Sequence, residues 1–207
     1  MRTTGHLLVA SVLLTALPLG STARAVTLHF LNFEGLADFT TVTNQYAAQF
    51  VSFTNTTVLT AGISLNEFEY PPQSGTNVAS NLSSGAIQID FSRDTYDWSA
   101  YVTYERPLTV SAFDHDGNLV VSLTGGFPEN YTSSGYQPNE FLSLSAAIGF
   151  RQLVIQTDFP GYGITVDDMS YTTADASPVP EPATAAMLAV GLLGTGLYRR
   201  VKRRAEA

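Results

Sequence analysis

The chain has 207 residues, no cysteine, and 18 acidic against 10 basic side chains, for a formal charge of −8. Without cysteine there is no disulfide framework, no thiolate catalysis and no Cys-ligated zinc or iron–sulfur site. The cations collect at the two ends, so the stretch 26–176 keeps only Arg93, Arg106 and Arg151 against 16 acids, about −13, and a surface of that sign repels nucleic acid.

Residues 1–25 read as a secretory signal peptide. One early cation, Arg2, precedes an apolar run from Leu7 to Leu19, and Ala23-Arg24-Ala25 supplies the small-x-small pattern for signal peptidase. The run is too short to be a membrane span, and the mature chain is expected to begin near Val26.

Residues 26–176 are long enough for one domain with a sizeable core. No helical period emerges between Val26 and Tyr171; the pattern is short apolar or alternating runs separated by Gly, Pro, Asn and Asp. Strands are predicted at 26–33, 50–53, 57–65, 86–91, 99–104, 108–114, 119–123, 141–146, 153–157 and 164–171, with a helical turn or two only in 38–49. Alternation is clearest in Ile87-Gln88-Ile89-Asp90-Phe91 and in Leu108-Thr109-Val110-Ser111-Ala112-Phe113. That many short strands in one domain predict an all-β fold, a jelly-roll-like β-sandwich. Asp114-His115-Asp116-Gly117-Asn118 between two apolar runs is the firmest local feature, a hairpin whose Gly supplies positive φ. Long loops are expected at 66–84 and 125–139. Asn55, Asn81 and Asn130 each sit in an Asn-x-Ser/Thr triplet, read as chance matches to a glycosylation signal.

The C-terminal end has three parts in a fixed order. Pro178, Pro180 and Pro182 hold 177–182 extended. The uncharged apolar run 183–198 follows, about 24 Å long as a helix and close to a bilayer core once flanking side chains snorkel. Five cations lie within 199–204, and the positive-inside rule keeps them cytoplasmic, so everything before Pro180 falls on the outer side of that membrane. Val179-Pro180-Glu181-Pro182, the span and the basic end together resemble the PEP-CTERM sorting domain of Gram-negative bacteria. The resemblance implies that the chain crosses the inner membrane, meets an exosortase-type transpeptidase that cuts near the motif, and goes to the envelope, surface or extracellular matrix. A retained single-span anchor is the alternative.

The central region resembles exported galactose-binding-like jelly rolls in its opening, Phe30-Leu31-Asn32-Phe33-Glu34-Gly35, and in its closing strand, Gly163 to Tyr171. In those folds the first and last strands lie side by side, often pinned by a structural calcium. The resemblance implies Glu34, Asp167 and Asp168 as calcium ligands, hard oxygen donors of the type that ion takes.

Catalysis has little support. The domain holds only His29 and His115, no Gly-x-Ser-x-Gly occurs, and a carboxylate pair drawn from Glu67, Glu69, Asp94 or Asp97 is expected by chance in so acidic a domain. Sugars, by contrast, stack on aromatic faces and bond to carboxylates and amides. Candidate ligand-binding residues are Tyr70, Trp98, Tyr131 and Tyr136, with Tyr101 and Tyr162, and with Asn66, Glu69, Asp97 and Asn139 close by in sequence. The expectation is a non-catalytic surface or matrix protein, with exopolysaccharide binding supported by structural calcium as the alternative. Edge-strand self-association against saturable glycan binding separates the two.

Overall fold

The computed structural model describes residues 25–82 and 84–175. The expected leader up to Arg24 lies outside them, as do the sorting motif at 177–182, the transmembrane helix expected at 183–198 and the basic tail. Among the described residues no helix is long and apolar enough to cross a membrane.

The described residues form nine strands: β1 (Val26–Leu31), β2 (Val51–Thr54), β3 (Thr57–Thr60), β4 (Asn77–Ser80), β5 (Ile87–Tyr104), β6 (Leu108–Phe113), β7 (Leu119–Thr124), β8 (Glu140–Thr157) and β9 (Ile164–Ala174). The only helical segments among the described residues are two short 3-10 turns, Ala47–Gln49 and Thr132–Ser134. The all-β expectation holds, and the helical turn foreseen in 38–49 is the first of these. Two pairs of predicted strands are each one long strand, β5 and β8, and β4 arises inside a stretch expected to be loop.

All strand pairs are antiparallel, in the order β3-β4-β9-β5-β8-β6-β7, with β1 on β9 and β2 on β5. The two long strands turn this sheet over on itself. The first part of β5, at Ile87–Asp90, lies between β2 and the late part of β8, whose other edge carries β6 and β7. After a register shift between Asp90 and Thr95, the rest of β5 lies between β9 and the early part of β8. Strands that pass between layers through a bulge make the corners of a sandwich.

The bulge also reverses which residues face inward. Ile87, Ile89 and Phe91 are buried before it, and Trp98, Ala100, Val102 and Tyr104 after it. In β8 the buried set likewise passes from Leu142, Leu144 and Phe150 to Leu153 and Ile155. The inner faces close on one core, where Phe91 meets Phe150 at 5.8 Å and Tyr171 of β9 at 5.1 Å, and Phe33 beyond β1 meets Phe53 of β2 at 6.0 Å. The predicted hairpin is present. Gly117 has φ 82°, and the Asp114 carboxylate accepts from the backbone N–H groups of Asp116 (2.9 Å) and Asn118 (2.8 Å).

Candidate functional site

The loops after β3, between β5 and β6, between β7 and β8 and between β8 and β9 converge on a cleft of about 480 Å³, whose lining includes Asn66, Glu69, Tyr70, Glu105, Arg106, Glu129, Tyr131, Ser133 and Tyr162. A second cleft of about 270 Å³ abuts it and shares Asn66, Tyr70 and Glu105. Its remaining wall is mainly Leu59, Leu65, Leu82 and Gly163.

Local chemistry holds each wall. The backbone N–H groups of Glu69 and Tyr70 donate to the Asn66 carbonyl at 3.1 and 2.9 Å, closing a turn that presents both side chains. The Ser133 N–H donates to Glu69 Oε2 at 2.8 Å and the Thr132 N–H to the Glu69 carbonyl at 3.0 Å, which ties the β7–β8 loop to that turn. The Tyr70 hydroxyl donates to Glu105, whose other oxygen accepts the Gly163 N–H at 2.7 Å. Burial first, then the Glu105 carboxylate, drives the Tyr70 hydroxyl well above the ordinary tyrosine range, so it stays a proton donor. Tyr70 and Tyr131 stack with ring centroids 6.4 Å apart and planes at 30°. Arg106 pairs with Asp158 at 3.4 Å and lies over Phe159 and Tyr162 at 5.4 and 5.3 Å.

Asparagines, three of them buried, brace the surrounding loops. Asn130, 0% exposed, accepts the Tyr104 N–H at 2.6 Å and donates to the Val102 carbonyl at 2.9 Å. Asn81 accepts the Ile164 N–H at 2.9 Å and donates to the carbonyls of Gly85 and Tyr162. Asn77 bonds the carbonyls of Phe33 and Leu36. Asn139 holds the Pro71 carbonyl at 2.9 Å. The side chains of Asn81 and Asn130, two of the three residues in Asn-x-Ser/Thr triplets, are thus buried.

Of the predicted ligand residues, the structure brings Tyr70, Tyr131 and Tyr162 together with Asn66 and Glu69. Trp98 must be withdrawn. The bulge in β5 turns it inward, where it is 1% exposed and its indole N–H has no partner among the described residues. Tyr136, 44% exposed, lies against Phe127 at 5.1 Å and is not among the residues lining the cleft. Tyr101 pairs with Phe141 at 5.2 Å. Asp97 is taken up by the hydroxyls of Ser145 and Thr172. Glu105, Arg106, Glu129 and Ser133 line the cleft but were not singled out from sequence.

Glu34, Asp167 and Asp168 clasp one segment. Asp167 accepts the N–H groups of Gln73 (2.8 Å) and Ser74 (3.0 Å), Asp168 the Ser74 hydroxyl (2.8 Å), and Glu34 the N–H groups of Thr76 (2.9 Å) and Asn77 (2.7 Å). The first and last strands do lie side by side, and the end of β1 reaches the middle of β9 here, with Leu31 opposite Met169. Among the described residues no three carboxylate or imidazole side chains are arranged to hold a metal ion. Burial raises Asp167 to about 6, with Asp168 adding to the rise and the three backbone N–H groups opposing it. His29 stacks on Tyr171 at 4.9 Å and bonds Thr173, while His115 is exposed in the hairpin turn. Burial, then Arg93, lowers the His29 pKa, so its neutral form is favoured.

Residues 178–204 match the PEP-CTERM protein-sorting motif. The chain therefore carries the signal of exported, envelope-sorted proteins at the place its sequence suggested. No curated protein matches it. Similar solved structures include the K2 cleaved adhesin domain of Lys-gingipain, at 11% identity and TM-score 0.43, covering 70% of this chain and 99% of that one. TmCBM61 in complex with β-1,4-galactotriose follows at 10% identity and TM-score 0.37, covering 68% and 100%. A family 29 carbohydrate-binding module is 12% identical with TM-score 0.35, covering 77% and 98%. All three scores lie below 0.5, so the fold rests on the strand pairing described above.

Proposed function

We propose that the chain is a non-catalytic protein of the cell surface or extracellular matrix of a Gram-negative bacterium. It is handed over at the inner membrane to an exosortase-type transpeptidase, and a jelly-roll-like β-sandwich is its working part. The match at 178–204, directly after an acidic all-β domain, carries this reading. Replacing Pro180, Glu181 and Pro182 by alanine tests it. The expected outcome is a variant that stays in the inner-membrane fraction; release at the wild-type level would contradict the assignment.

A second reading is favoured by the cleft itself, in which the protein binds exopolysaccharide through Tyr70, Tyr131 and Tyr162. Rings and hydrogen-bonding groups in one concave surface suit a sugar, which needs stacking and polar contacts together. The protein is expected to give saturable binding on a glycan array, and Tyr131→Ala to weaken it about tenfold or more. Concentration-dependent self-association with no glycan binding would favour a purely structural matrix role. Structural calcium at Glu34, Asp167 and Asp168 belongs to this second reading, and a melting temperature indifferent to chelation and calcium addition removes it.

A further inference from the structure

The walls of the cleft narrow the ligand class, on the footing of the carbohydrate reading above. Three carboxylates, Glu69, Glu105 and Glu129, line it against one guanidinium, Arg106, already engaged by Asp158 and by two aromatic rings. Glu105 has both oxygens taken by the Tyr70 hydroxyl and the Gly163 N–H. Glu69 gives one oxygen to the Ser133 N–H. Half-buried Glu129 has no hydrogen-bond or ion-pair partner among the described residues.

That leaves unmatched negative charge in a partly desolvated, tyrosine-walled space. An anionic sugar would meet carboxylates there, and would first have to approach a domain of about −13. A neutral hydroxyl would leave the Glu129 charge without a counter-ion. A protonated amine would form charge-assisted hydrogen bonds to Glu129 and the free oxygen of Glu69, while its charge faced tyrosine rings that attract cations.

We propose that the cleft takes a protonated amino sugar, presented by a partly or fully de-N-acetylated hexosamine polymer. Glu129 is the counter-ion of the amine, Glu69 its second acceptor, and Tyr131 the surface on which the sugar ring stacks. The full chain, purified in detergent, is titrated calorimetrically at mildly acidic pH with tetramers of glucosamine, N-acetylglucosamine and glucose. The glucosamine tetramer is expected to bind at least about tenfold more tightly than the other two. Added salt should weaken it, and Glu129→Gln should cost about tenfold without moving the melting temperature. Equal binding of the amine and N-acetyl forms overturns the inference and leaves the carbohydrate reading standing. Preferential amine binding that survives Glu129→Gln intact overturns the assignment of that residue. No binding of any tetramer, nor of the producer's own polysaccharide, overturns both.

Discussion

Asp167 shows how one side chain links fold and solution conditions. It is 1% exposed, and desolvation outweighs three N–H donors to raise its pKa from 3.8 to about 6. Between those values the folded chain holds a proton that the unfolded chain has released. The contribution is fully present below the unfolded pKa and is lost as pH rises through the folded one, by at most about 3 kcal/mol. Denaturant unfolding measured from about pH 4 to about pH 7 should therefore show a downward component of stability that Asp167→Asn abolishes. An identical pH profile in the variant would refute this. Trp98 teaches a different lesson at the same scale. A tryptophan beside Asp97 and Ser99 reads as exposed, and only the residue-by-residue parity of the whole strand shows that it points inward.

The elements were legible where alternation is unbroken and hidden where it changes. The β6–β7 hairpin is explicit in sequence because two apolar runs, the first of them alternating, flank a turn supplied by Asp-Gly. β5 looked like two strands because Ser92-Arg93-Asp94-Thr95 interrupts the pattern at the bulge, where the ladder shifts but the strand continues. β4 was missed because Asn77 and Ser80 are buried polar residues that bond neighbouring chain, so it lacks the polar face that marks a half-buried strand. The cleft was half legible: Tyr70 and Tyr131 were named as single aromatics, yet nothing local says that the loops carrying them meet. Their meeting depends on braces such as Asn130, which caps the end of β5 from the β7–β8 loop. Asn130→Ala leaves the Tyr104 N–H and the Val102 carbonyl without that partner in the interior. It is expected to cost about 2–4 kcal/mol in denaturant unfolding and to loosen the Tyr131 loop. A loss below about 0.5 kcal/mol would show that the brace is dispensable.

For the whole molecule, the charge distribution and the terminal signal fit one account. A domain with three cations and 16 acids is unsuited to nucleic acid, and with no cysteine its fold is held without disulfides. The last strand, β9, ends at Ala174, and the match to the sorting motif covers 178–204. The sorting motif is thus a compact local code in the sequence, whereas the cleft is built from four loops and has none. The most direct test of the sorting account is the intact mass of the protein recovered from cells and medium. The account predicts a chain beginning near Val26 and ending within 179–182, free of the apolar run, with any added mass at its new C-terminus. A recovered species that still contains 183–207 would contradict it.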